Sequence, residues 1–269
     1  MNKEKVNYLN WVPIKIIYFI LAVVVISLFF MISSFMKLNV FSECAIILLW
    51  CIRIISTVIF GVSVYFFILL GKARHMFSYT AGRVADKILE YVLSCLKWDG
   101  NGKLLDIGCG SGALSIKCAK KYSQSKIIGI DYWGNEWDYN KKQCEINAKA
   151  EGVSNVHFQK GDASCISFKT ESMDAAVSNF VFHEVKSLSD KKLVIKEALR
   201  VLKKGAPFVF HDLFFDEKYY GTEKELRTFL KELGLKEVKL EKTEELKFIP
   251  RSLVKPVLLK GIGIIYGIK

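Results

Sequence analysis

Between Ile16 and Met36 the chain runs for 21 residues without a charged side chain, and from Ile54 to Leu70 it does so for another 17. A helix crosses a bilayer with roughly 17–25 apolar residues, so both runs qualify. The second is preceded by the apolar stretch Cys44 to Ile52, interrupted only by Arg53. The pair predicts a transmembrane helical hairpin, with helices at about 16–36 and 50–70, that anchors the protein through residues 1–71. A cleaved signal peptide is the alternative for the first run. That run is longer than a signal h-region of 7–15 residues, and no A-x-A site follows it. A buried core helix is the alternative for the second, and its length and closeness to the first argue against it.

Basic residues flanking the runs set an orientation. Lys3, Lys5 and Lys15 precede the first; Lys72, Arg74 and Arg83 follow the second; the connection offers Lys37 opposed by Glu43. Both termini are expected on the cytoplasmic side of the cell membrane, with two spans and the remainder of the chain, 72–269, in the cytoplasm. Arg53 enters near the outer face, either snorkelling to the interface or binding a ligand from within.

Beyond Gly82 the pattern changes. Amphipathic stripes alternate with short apolar runs: strands are expected at 103–108, 126–130, 155–159, 173–178 and 207–211, then at 236–240 and 262–268. Helices are expected at 84–96, 111–122, 136–151, 187–202 and 222–233. Alternation of this kind implies an α/β fold, a doubly wound, mostly parallel seven-stranded Rossmann-like sheet covered on both faces. A hydrophobic content of 51% with 4 Pro excludes disordered and collagen-like chains. The seven cysteines form no C-x-x-C, so the common zinc and redox spacings are absent and no metal site is expected.

The chemistry concentrates in LLDIGCGSGALSI, Leu104 to Ile116. Gly108, Gly110 and Gly112 allow a tight turn and close approach of backbone to a ligand, and the following helix offers free amide donors. Gly108, Gly110 and Ala113 also satisfy a loose G-x-G-x-x-A, which leaves a dinucleotide open. Four polar groups bear on that choice. Asp106 lies two residues before the first glycine, and a carboxylate there suits a cationic ligand better than a pyrophosphate. Asp131 ends the second strand, where a carboxylate can accept from both ribose hydroxyls. Asp162 follows the third strand, and Asn179 follows the fourth. Each alone reads equally as a cap or a solvated loop residue; together they mark the carboxyl rim of the sheet.

DIGCGSG, GIDYWG, KGDAS and SNFVFHEV, in this order, with ALRVLKKGAPFVFHDLF after them, resemble the class I S-adenosylmethionine-dependent methyltransferases, in particular the small-molecule type. The resemblance covers residues 104–212 and does not extend to the apolar hairpin. It implies S-adenosyl-L-methionine as cofactor. Gly108, Gly110 and Gly112 would border its methionine and ribose parts, with Asp106 near the methionine amino group. Asp131 would hold the ribose hydroxyls, and Tyr132 and Trp133 would flank the adenine. Asp162 would accept from the adenine amine, the Ala163 amide would meet a ring nitrogen, and Asn179 would lie beside the methyl group. Trp137 is an additional aromatic that suits either an adenine sandwich or the core.

An oxygen, nitrogen or thiol acceptor must lose a proton. His183, just past the fourth strand, is the candidate base because histidine titrates near neutral pH; the alternative is that it packs over the cofactor. Tethering beside a bilayer favours a small, lipid-soluble acceptor. The mixed apolar and basic segment 246–260 reads either as an interfacial surface or lid, or as a packed connector. The net charge of +12 suits anionic lipid. Nucleic acid is disfavoured, because Lys141–Lys142, Lys191–Lys192 and Lys203–Lys204 lack aromatics arranged for base stacking. A membrane-anchored protein that binds the cofactor without catalysis and a nicotinamide dehydrogenase are the competing readings.

Overall fold

The computed structural model describes residues 5–35, 43–134, 139–256 and 258–269. Contacts divide it into two units: Asn10–Arg83, and Val84–Lys269 together with the N-terminal residues up to Leu9.

The first unit is a pair of helices, α1 (Ile14–Ser33) and α2 (Glu43–Phe77), packed on each other. α2 runs through the position expected as a domain boundary near residue 71, and residues 5–9 group with the sheet. The helices distribute their side chains inside out. Phe19, Phe29 and Ile47 are 70%, 65% and 63% exposed, whereas Ser27, Ser56 and Ser63 are buried. Small residues let two helices approach closely. Each buried hydroxyl returns its hydrogen bond to its own helix: Ser27 Oγ to the carbonyl of Val23 at 2.7 Å, Ser56 to Arg53 at 3.2 Å and Ser63 to Phe60 at 2.9 Å. Arg53 Nη2 donates to the carbonyl of Ser34 at 2.5 Å, past the end of α1, and the guanidinium lies 4.2 Å and 4.6 Å from the ring centres of Phe35 and Trp50. A cation there meets the negative end of the helix dipole and two aromatic faces. Lys3, Met36 and Lys37 lie outside the described residues.

The second unit contains α3 (Val84–Cys95), β1 (Lys103–Ile107), α4 (Ala113–Lys121), β2 (Lys126–Asp131), α5 (Lys141–Ala150), β3 (Val156–Lys160) and β4 (Ala175–Asn179). It continues with α6 (Lys192–Arg200), β5 (Pro207–Asp212), α7 (Glu217–Tyr220), α8 (Glu223–Glu232), β6 (Glu237–Lys242) and β7 (Gly263–Ile268). The sheet order is β3-β2-β1-β4-β5-β7-β6. β1 to β5 pair in parallel, and β7 enters antiparallel between β5 and β6. The sheet is therefore mixed, and its one reversed strand accounts for the departure from a fully parallel pattern. Alternation along the strands sorts side chains onto two faces. Leu105, Ile107, Ile128 and Ile130 share a core with Val194, Ile195, Ala198 and Leu199 of α6 and with Leu226 and Leu230 of α8. Residues of the opposite parity, including Asp106, lie toward α4.

Segment 246–260 turns its apolar residues inward: Ile249, Leu253 and Leu259 are buried, while Lys247, Arg251, Lys255 and Lys260 are exposed. This is a packed connector between β6 and β7, not an apolar surface or lid. An interfacial face would need those three side chains outward.

Candidate active site

Chain direction reverses its winding at β1, which has β2 on one side and β4 on the other. Open α/β sheets bind ligands at the carboxyl ends of strands where this occurs. The glycine turn after β1 and the segment after β4 meet there. Gly108 has φ +74°, and a Cβ on it would lie 2.1 Å from Val181 Cγ2. Only glycine lets these two loops close on each other. Gly108→Ala is expected to lower unfolding free energy by at least ~1 kcal/mol, from left-handed backbone plus collision, and urea denaturation would measure it.

Asp131 ends β2 and folds the turn around itself. Gly110 N–H donates to its Oδ2 at 2.8 Å and Trp133 N–H to its Oδ1 at 2.7 Å. Trp133, at φ +45°, also donates from Nε1 to the Gly110 carbonyl at 2.9 Å. Each carboxylate oxygen keeps a further acceptor position. Burial raises the pKa of Asp131 despite both backbone donors. Tyr132 is 62% exposed, with the Lys160 ammonium 5.1 Å from its ring centre. Asp162 Oδ1 accepts from Ser164 N–H at 2.8 Å and Ser164 Oγ at 2.7 Å, and Ala163 is buried beside it. These positions, brought to one rim, fit a nucleoside held by carboxylates over a glycine cradle. Trp137 lies outside the described residues.

Asp106 is placed differently from a residue at the ligand surface. It is buried under the turn, where Ser115 Oγ of α4 donates to its Oδ2 at 2.5 Å. Burial, against the Ser115 bond and with the nearby Asp131 charge, pushes its pKa up to about 7.

The two rim histidines are driven apart electrostatically. His183 Nδ1 donates to Asp212 Oδ1 at 2.5 Å, and its Nε2 lies 3.3 Å from Glu184 Oε1. Asp212, at the end of β5, also accepts the backbone N–H groups of Phe182, His183 and Leu213. Burial pulls the His183 pKa down, but Asp212 and Glu184 outweigh it and push it up to about 10. A raised pKa favours the imidazolium near neutral pH, and that form has no lone pair with which to take a proton. His211 is the opposite case. It is fully buried, and burial lowers its pKa to about 4. Neutral, it donates from Nδ1 to Asn179 Oδ1 at 2.9 Å and accepts from Thr243 Oγ1 at Nε2, also at 2.9 Å. This fixes the orientation of the Asn179 amide.

Sequence reading missed two aromatics at this rim. The Phe180 ring, at φ +56°, stands edge-on to His211 at 5.1 Å, and Tyr219 lies 5.5 Å from His183. A short aromatic-rich run, FDEKYY, was the available signal for Tyr219. Phe180 had none, because its placement depends on a backbone conformation.

A family model described as a methyltransferase domain matches residues 99–251, more than half of the chain. The chain belongs to this family. Its sheet domain is an S-adenosylmethionine-dependent methyltransferase domain. The arsenite methyltransferase of Aquipseudomonas alcaligenes is 29% identical over 120 residues, 43% of this chain and 34% of that protein. The ubiquinone/menaquinone biosynthesis C-methyltransferase UbiE of Geotalea daltonii is 26% identical over 169 residues, 62% of this chain and 68% of that protein. The chain thus spans about a third of the length of the first of these relatives and about two thirds of the second. Geranyl diphosphate methyltransferase, solved with GPP and sinefungin, shares the fold with a TM-score of 0.53 at 15% identity, over 70% of this chain and 78% of that one.

Proposed function

We propose that the protein is a membrane-anchored methyltransferase that passes the methyl group of S-adenosylmethionine to a small, lipid-soluble acceptor. The observation that carries the anchoring is the inside-out helical pair. A soluble helical pair buries its apolar stripe, whereas here large apolar side chains face outward and polar hydroxyls are satisfied within their own helices, as a hydrocarbon environment requires. At 35 residues, α2 is about 52 Å long, longer than the roughly 30 Å hydrocarbon core. Its end, with Lys72 and Arg74, would extend past the bilayer on the cytoplasmic side. The UbiE relative, named for ubiquinone and menaquinone, supports a lipid-soluble acceptor.

When bound, S-adenosylmethionine supplies a methyl group on a sulfonium, open to in-line displacement. The chain's residues supply position. Asp131 takes the ribose hydroxyls and Asp162 the adenine amine, Tyr132 and Trp133 border the base, and Asn179, oriented by His211, sits toward the acceptor side. His183, held cationic by Asp212 and Glu184, favours an acceptor that carries or develops negative charge. It lowers the acceptor's own pKa, so that the acceptor's proton leaves to water rather than to His183.

Membranes from cells expressing the full chain test this reading. The protein should stay in the pellet through an alkaline carbonate wash and be released by detergent. With methyl-labelled donor, label should enter the organic phase of a membrane extract. Release by carbonate would refute the anchor. Label confined to water-soluble acceptors would refute the lipid-soluble substrate, and donor binding without transfer to any thiol, phenol, amine or lipid would leave a binding protein.

A further inference from the structure

The glycine turn is held from two sides, and only one of them belongs to the recognised motif. On the outer side lies Asn7–Leu9, the segment before the apolar helices. Asn147 of α5, fully buried, commits its whole amide to this junction. Its Oδ1 accepts from Asn7 N–H at 2.8 Å and from Gln143 Nε2 at 3.1 Å. Its Nδ2 donates to the Asn7 carbonyl at 2.9 Å and to the Ser111 carbonyl at 3.0 Å. Ser111, between Gly110 and Gly112, donates from Oγ to the Tyr8 carbonyl at 2.7 Å. The Tyr8 hydroxyl donates to Glu151 Oε1 at 2.9 Å, and Glu151 is also paired with Lys120. The strap turns sharply at Leu9, at φ +59°, where the Leu9 N–H donates to Asn7 Oδ1 at 2.9 Å.

We propose that Asn7–Leu9 is a positioning element of the donor site, which sets the Gly110–Gly112 turn by bonding Ser111 and Asn147. Removing the strap would leave one Nδ2 hydrogen of the buried Asn147 amide and the Ser111 hydroxyl without their partners, while Gln143 and the Ser111 carbonyl still serve Asn147, and unpaired groups find new partners by moving. Ser111 is the residue that would move, because Gly110 is held by Asp131, Trp133 and Cys144 and Gly112 N–H by the Cys109 carbonyl, whereas the Ser111 hydroxyl and carbonyl bond the strap and Asn147. Ordering the strap and binding the donor would then be reciprocal. Four residues, Asn10 to Pro13, join the strap to α1.

The test uses the full chain in detergent, with donor affinity read by calorimetry and folding by thermal midpoint. Deleting residues 2–9 is expected to weaken donor binding at least tenfold and raise donor KM more than it lowers kcat. Ser111→Ala is expected to produce a smaller loss that does not add to the deletion. In the wild type, donor should slow hydrogen exchange at Asn7 N–H. A folded deletion variant that binds donor as tightly as wild type overturns the proposal. If the deletion does not fold, unchanged affinity in Ser111→Ala together with unchanged exchange at Asn7 overturns it. The proposal rests on the reading that the glycine turn holds the donor, and Asp131→Ala separates the two. Loss in Asp131→Ala without loss in the strap variants refutes the strap alone, whereas no loss in either refutes the donor site as well.

Discussion

Asp131→Ala is expected to weaken S-adenosylmethionine binding by at least ~100-fold. A hydrogen bond to a charged group contributes about 1.5–3 kcal/mol, and two ribose hydroxyls on one carboxylate double that; each ~1.4 kcal/mol is a factor of ten. The same substitution frees Gly110 N–H and Trp133 N–H, both bonded to Asp131, so the turn loses its inner attachment. Asp131→Asn keeps one acceptor oxygen and should fall between. Calorimetry on folded protein decides it: an unchanged dissociation constant in Asp131→Ala would remove this residue from the ribose.

The second large effect is at His183, where the pH dependence discriminates between roles. As an imidazolium with its pKa pushed up to about 10, His183 should support turnover evenly through neutral pH and lose effect as pH rises through about 10. A base with the same pKa would give turnover that climbs toward pH 10. His183→Ala should lower turnover by roughly 10²-fold or more, as removal of one preorganised electrostatic stabiliser does. The penalty should be largest for acceptors that ionise. A penalty that vanishes for acceptors already ionised would restore the base role.

The stability consequence follows the same signs. The folded pKa of His183 is raised, so its contribution is complete below the ordinary histidine range and lost as pH rises through about 10. Asp212, held below its ordinary value by His183 and by backbone donors although burial opposes this, contributes above the carboxylate range and loses that as pH falls. Breaking a buried pair by removing one partner costs about 3–5 kcal/mol. His183→Ala should approach the lower figure, because three backbone N–H groups still serve Asp212, so thermal midpoints must accompany the kinetics.

What the sequence determined by itself was periodic or covalent. Uncharged length announced α1 and α2, and alternating runs placed all seven strands within a few residues, because apolar length and burial on a sheet are written in the order of side chains. The glycine spacing and the acids at Asp131 and Asp162 were legible for a similar reason: in a parallel sheet the ends of successive strands converge on one rim whatever the loops between them do. Tertiary structure alone decided whatever depends on distant parts of the chain. The antiparallel entry of β7 is a matter of pairing partners, and strand patterns do not name partners. The charge of His183 depends on Asp212, 29 residues away, and the neutrality of His211 on complete burial, so two identical side chains at one rim acquired opposite states. Asp106, placed by its motif at the ligand, turned under α4 to Ser115 because its position in β1 has the parity of that face. The strap at Asn7–Leu9 carries no periodicity and no motif, and only folding brought it 140 residues along the chain to Asn147.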